Sequence, residues 1–283
     1  MLRGQVYTDG ALRRSLRHGV LRWYATSGRD LPWRRTRDPY AILVSEVMLQ
    51  QTQVSRVLPA FASFLGRFPT LGALARAPLG DALRQWSGLG YNRRARDLHR
   101  LARLVPSGLP LEVEALDALP GIGAYTAGAV ACFAYGTRTA FADTNIRRVL
   151  GRILLGRVAT EREAVAIDSE VAPRDARPWH HALMDLGATV CVARAPRCDA
   201  CPVASRCLSR GTVGAAAAKP RQAAFATSDR RVRGRIIASL RAGDMTVTAL
   251  RRAVGDARVD RLVERLAEEG LVEQRGRRVG LPA

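Results

Sequence analysis

Residues 119–128 read LPGIGAYTAG. Pro120, Gly121 and Gly123 end one helical stretch and let a second open at Ala124. Glycines allow close approach of the backbone, and the first turn of the following helix presents N–H groups that lack intrahelical partners. Such a turn suits an anion, a DNA phosphate among them, although an ordinary interhelical turn can have the same sequence. Outward from this hairpin the periodicity is helical in both directions. Apolar spacing predicts helices over 39–65, 71–86, 92–104 and 113–118 before it, and over 124–135, 145–155 and 160–170 after it. Leu12, Leu16, Val20 and Trp23 mark a further amphipathic helix within 1–28. No alternating apolar runs joined by a hairpin turn occur up to residue 210, which excludes a β-rich body.

The 283 residues carry 45 Lys+Arg against 25 Asp+Glu, a net charge of +20. That excess points to a polyanionic partner, because each arginine set on a phosphate releases a counterion. Lys219 is the only lysine, so amine nucleophiles are confined to it and the N-terminus. No apolar stretch approaches the roughly 20 residues that span a bilayer, so no membrane partner is expected. The Arg-rich start lacks the apolar core of a secretory signal. Its helix runs into Leu31 and reads as part of the fold rather than as a transit peptide.

Residues 211–229, GTVGAAAAKPRQAAFATSD, read as a linker. Beyond it, Val232, Ile236, Ile237 and Leu240, then Leu250 and Val254, then Val259, Leu262, Val263 and Leu266 predict three helices. Two short strands follow, turning at Arg275-Gly276, in the order of a winged helix. This module has 13 arginines and 7 acids. DNA contact and a purely packing role both fit it.

Four of the five cysteines, Cys191, Cys198, Cys201 and Cys207, fall within CVARAPRCDACPVASRC. Loops this short bring thiolates onto one metal centre. Disulfides lack support without a secretion signal, and common Cys₄ zinc sites use two C-x-x-C knuckles where this chain has one. The C-x6-C-x2-C-x5-C spacing resembles that of the [4Fe–4S] loop in a family of DNA base-excision glycosylases. Cys132, in an apolar run, reads as a small core residue.

Two carboxylates stand out. Asp143, in FADTNIRRV, precedes a helix and is placed to cap it, where the helix N-terminus favours its charged form. Glu46, in AILVSEVMLQQTQ, is flanked by apolar residues. Burial there would favour a carboxyl that holds a proton for delivery. An acid and a carboxylate are the pair that cleavage of a glycosidic C–N bond requires.

Together LPWR (31–34), SEVMLQQTQV (45–54), GLGY (88–91), LPGIGAYTAG, DTN (143–145), ALMDLGATVC (182–191) and the cysteine loop resemble the MutY-type adenine DNA glycosylases. These belong to the helix-hairpin-helix superfamily that includes endonuclease III. The resemblance implies an all-α, two-lobed fold. A six-helix barrel with the hairpin would occupy 29–143 and an iron–sulfur domain 144–210. The helix of 1–28 would pack on the iron–sulfur domain, and 211–229 would link to the winged-helix-like α+β module of 230–283.

The activity implied is monofunctional excision of adenine mispaired with 8-oxoguanine or guanine, after the base is flipped from the duplex. Glu46 would protonate N7 of adenine, Asp143 would stabilise the oxocarbenium ion, and Asn145 would hold the site in place. Tyr125 stands where the bifunctional branch has lysine. Trp33, Arg34 and His181 would line the adenine pocket, while Leu49 and Gln51 would enter the duplex. Tyr91 and Asn92 would lie beside the opposite base, and Leu119, Gly121 and Gly123 along the phosphates. Cys191, Cys198, Cys201 and Cys207 would hold one [4Fe–4S] cluster. The implied partner is mispaired double-stranded DNA, bound by a monomer associated with the nucleoid in the cytoplasm. Asn92 departs from a frequent tyrosine, His181 from Gln or Glu, and the winged module from the usual Nudix-like domain. A thymine or uracil mismatch glycosylase and a catalytically idle DNA-binding protein are the alternatives.

Overall fold

The computed structural model describes residues 9–212 and 225–283. Lys219 and most of the expected linker lie outside them. Its first eleven helices are α1 (Gly10–Ser27), α2 (Pro39–Leu49), α3 (Val54–Arg67), α4 (Leu71–Arg76), α5 (Leu79–Gln85), α6 (Arg93–Leu104), α7 (Val113–Asp117), α8 (Ala124–Tyr135), α9 (Thr144–Leu155), α10 (Glu161–Val171) and α11 (Arg177–Thr189). Contacts divide the chain into two units, one of residues 1–37, 111–117 and 122–219, the other of 38–110, 118–121 and 220–283. Among the described residues no helix is long and apolar enough to cross a membrane.

In the first unit α8 has no polar stripe and is buried from Thr126 to Ala134, the mark of a helix inside a core. Helix α9 packs on α10 and α11, and α1, whose buried face is Leu16 and Val20, packs on α11. Arg17 of α1 donates to the carbonyls of Val171 at 2.7 Å and Ala172 at 3.0 Å, where α10 ends and its carbonyls lack helical partners. Gly187 makes the α9–α11 contact possible, since a Cβ there would lie 2.6 Å from the Cβ of Asn145.

In the second unit α2 is the enclosed helix, buried from Tyr40 through Met48. Helix α6 is amphipathic and turns Ala95, Leu98, Leu101 and Ala102 inward. Phe64 anchors the aromatic core, with Phe68 at 5.1 Å and Trp86 at 5.8 Å between ring centroids. The helix expected over 39–65 is broken at 50–53, where Gln51 takes a φ of 55°. That expected over 71–86 breaks at Ala77-Pro78, because a residue before proline avoids the helical region. Helix α11 escaped the periodicity because His180, His181 and Asp185 interrupt its apolar face, although Pro178 in its first turn is a start signal.

The C-terminal residues add α12 (Asp229–Leu240), β1 (Met245–Thr246), α13 (Val247–Val254), α14 (Val259–Glu268), β2 (Glu273–Arg275) and β3 (Arg278–Gly280). The sheet is antiparallel in the order β1-β3-β2, with Val279 paired to both Met245 and Gln274. Three helices and a hairpin match the sequence reading, and β1 is too short to have left a pattern. This module is tied to α5 and α6. Gly80 N donates to Pro282 O at 2.8 Å, Arg84 Nε to Arg241 O at 3.2 Å, and Arg93 grips Glu269 through two bonds of 2.8 and 2.6 Å. The chain is thus a predominantly helical helix-hairpin-helix fold with a small α+β module.

Candidate active site

Asp143 caps α9. Its Oδ1 accepts from the amides of Asn145 at 2.9 Å and Ile146 at 2.7 Å, and its Oδ2 from Asn145 Nδ2 at 2.8 Å. Asn145 Oδ1 accepts in turn from Arg148 at 2.7 Å. Only one orientation of the Asn145 amide serves both neighbours. Arg148 also donates to the carbonyls of Cys191 and Gly187, each at 2.7 Å. Burial holds its guanidinium below its usual range. An unbroken hydrogen-bonded path therefore runs from the cysteine loop to Asp143, and Arg148 is a residue the sequence reading passed over.

Tyr125, in the first turn of α8, sets its ring edge-on to Phe141 at 5.6 Å. Phe133 lies 5.6 Å from Phe141 and stacks on His181 at 4.2 Å. His181 is buried, and that burial, with Arg34 and Arg177 nearby, holds its imidazole well below the usual value and hence neutral. One turn further along α11, Asp185 has no exposed side-chain surface and accepts both arms of Arg34, at 2.6 and 2.7 Å. Arg29 donates to the same carboxylate through its amide at 2.8 Å and its Nε at 2.6 Å. Burial pushes Asp185 up, but the two arginines outweigh it and hold its carboxyl below the ordinary range. Trp33, also buried, sits in a 3₁₀ turn beside Arg34. An acid inside the apolar run ALMDLG (182–187) was the signal that could have singled out Asp185.

These groups belong to the first unit, whereas Glu46, Leu49, Gln51, Tyr91, Asn92, Leu119 and Gly121 belong to the second. Glu46 is 6% exposed among the apolar residues of α2. Gln51 and Tyr91 are exposed, and they are the only non-glycine residues with positive φ among the described residues, at 55° and 48°. Arg94 sits between their loops. It donates to the carbonyls of Val47 and Met48, each at 2.8 Å, and Gln50 at 2.6 Å, closing the C-terminus of α2. It donates also to those of Leu89 at 3.2 Å and Gly90 at 3.1 Å. Its guanidinium lies 5.4 Å from the Trp86 ring and 5.6 Å from that of Tyr91. Burial lowers Arg94 to about 10. At the hairpin, Gly121 has φ 76°, and a Cβ there would meet Asp97 Cβ at 2.8 Å, so glycine is required twice over.

The four clustered cysteines line one cavity, closed by Val149, Leu186, Val190 and Ser209, with no disulfide among them. Burial pushes the Cys201 thiol up to about 11, and Arg152 reaches Cys191 Sγ at 3.5 Å. Ser209 Oγ is buried without a hydrogen-bond partner, as befits a hydroxyl awaiting an acceptor in the cavity. Among the described residues no three His, Cys, Asp or Glu side chains are placed to hold a single metal ion. A ring of thiols about a shared space suits a polynuclear group, and the residues fit an iron–sulfur cluster.

Residues 44–173 match the model of the HhH-GPD superfamily base excision DNA repair proteins, which defines the class of the fold. Among solved structures, a thermostable thymine-DNA glycosylase superposes with TM-score 0.67 at 29% identity, covering 72% of this chain and 98% of that one. A trapped endonuclease III–DNA intermediate gives 0.61 at 22% identity, covering 70% and 96%. The adenine DNA glycosylase of Mycolicibacterium smegmatis is 43% identical over 90% of this chain and 92% of its own length. The chain belongs to the adenine DNA glycosylase family.

Proposed function

We propose that this chain excises adenine opposite guanine or 8-oxoguanine in double-stranded DNA of the nucleoid, acting as a cytoplasmic monomer. The observation that carries the reading is the contrasting surroundings of its two carboxyl groups. Glu46 is enclosed in an apolar helix, and Asp143 is fixed by three donors at a helix N-terminus.

With adenine flipped out of the stack, Glu46 delivers a proton to N7 and weakens the C1′–N9 bond. Asp143 offsets the positive charge that grows on the sugar, and Asn145 keeps its oxygen aimed. Trp33, Arg34 and neutral His181 enclose the base, and Tyr125 supplies a wall. Leu49 and Gln51 fill the space the base leaves, Tyr91 and Asn92 meet the opposite base, and Leu119, Gly121 and Gly123 set amides on the phosphates. Cys191, Cys198, Cys201 and Cys207 would hold a [4Fe–4S] cluster, whose chemistry here is to crosslink the loop.

Single-turnover base release from 8-oxoguanine·adenine, guanine·adenine, guanine·thymine and guanine·uracil duplexes tests the reading, with iron quantified on the same preparation. Adenine release from the first two, with about four irons per chain, is expected. Release of thymine or uracil without adenine would overturn it.

A further inference from the structure

The module of α12–α14 is held against the loop that carries Tyr91, one of the two non-glycine residues with positive φ among the described residues. Arg230 of α12 donates to the phenol oxygen of Tyr91 at 2.8 Å. Glu269, just past α14, accepts Arg93 through two bonds and Arg233 of α12 as well. These contacts bracket residues 91–93, where Tyr91 takes φ 48°. A non-glycine residue keeps such a conformation only when its surroundings over-determine it. Arg94, anchored on the end of α2, secures the loop from one side, and the module secures the Tyr91 ring and Arg93.

The charges of the module point the same way. Asp229 pairs with Arg258 and Arg261, Asp260 with Arg251, and Glu273 and Asp244 with Arg275. α14, the helix a winged fold would use to read a groove, carries Asp260, Glu264 and Glu268 against Arg261 and Arg265. Its surface is poorly suited to a phosphate ladder.

We propose that the C-terminal module is a positioning element, in which Arg230 holds Tyr91, and through it the 88–92 loop, in the conformation that meets the base opposite adenine. This rests on the functional reading above. Arg230 acts through Tyr91 and is a positioning residue, not a catalytic one.

The test compares the full-length chain with Arg230→Ala, Arg230→Lys, Tyr91→Phe and the Arg230→Ala/Tyr91→Phe double variant. Amide hydrogen exchange is read without DNA, single-turnover adenine release on 8-oxoguanine·adenine and guanine·adenine duplexes, and binding against salt. Loss of one such hydrogen bond should quicken exchange across 88–92 and shrink the ratio of the two rates, each by about fivefold. Lysine should restore most of both, and the double variant should be no worse than either single. The log K against log[salt] slope should move by well under the roughly 0.9 that one phosphate contact contributes. Wild-type exchange in Arg230→Ala, additive effects in the double variant, or a slope lowered by a full contact would each overturn the proposal. If the wild-type chain releases no adenine, the functional reading falls, while the exchange data still decide whether Arg230 orders the loop.

Discussion

Arg148→Ala removes the guanidinium at the centre of the path from the cysteine loop to Asp143. Its bonds run to Cys191 O and Gly187 O at 2.7 Å each, Thr144 O at 3.1 Å, and Asn145 Oδ1 at 2.7 Å. A buried carbonyl left without a donor costs about 1–3 kcal/mol. The carbonyls of Gly187 and Cys191 would both lose a donor, so the unfolding free energy should fall by about 2–6 kcal/mol. The chemical loss is separate. Without Arg148 the Asn145 amide is free to turn, and its 2.8 Å bond to Asp143 Oδ2 is at risk. Charge-assisted bonds of this kind are worth about 1.5–3 kcal/mol, and about 1.4 kcal/mol is a decade in rate. Adenine release should therefore slow by roughly 10–100-fold. Arg148→Lys keeps the charge but loses the planar fork, and should recover little. The assay is single-turnover release at saturating enzyme, with thermal unfolding and iron content measured on the same sample. A rate within about threefold of wild type in the alanine variant would show that Asn145 holds Asp143 unaided, and would refute the reasoning.

Glu46→Gln should slow base release by about 10²–10⁴-fold while leaving DNA affinity within a few-fold, since the amide keeps volume and loses the proton. Near-normal turnover would mean the acid has been misassigned. Asp185, held below the usual carboxylate value of 3.8 by Arg34 and Arg29, contributes stability that is complete above that value and is lost as pH falls below it. Asp185→Asn should thus cost about 3–5 kcal/mol at pH 7, with the deficit in urea unfolding narrowing on acidification; a widening deficit contradicts the sign. Base removal should not be followed by strand scission, because Tyr125 stands where the bifunctional branch has lysine and offers no amine. Strong borohydride trapping that survives Lys219→Arg would place a nucleophile at the N-terminus instead.

Much of this was legible because glycine and aspartate punctuate the chain. Gly123 and Gly136 bracket α8, whose bounds match the periodicity, and Asp143 caps α9 as its place before an apolar run suggested. The convergence of the clustered cysteines followed from the short loops between them. The break at 50–53 was harder, since Gln51 takes its positive φ where the local sequence carries no glycine to announce it. Arg94 and Arg148 were invisible for a different reason. An arginine that caps interior carbonyls is spelled like one on the surface, and only tertiary packing tells them apart.

That ambiguity has a consequence for how the chain tolerates change. Arg17, Arg94, Arg148 and Arg152 each set two or more donors on backbone carbonyls, whereas Arg251 and Arg261 pair with carboxylates at the surface. Lysine replaces the second kind with little loss, but its compact ammonium cannot span several carbonyls at once. An arginine-to-lysine scan would therefore sort the positive charges of this protein into those that serve as internal struts and those that merely colour its electrostatic field. Net charge, the first number read from the sequence, counts the two kinds alike.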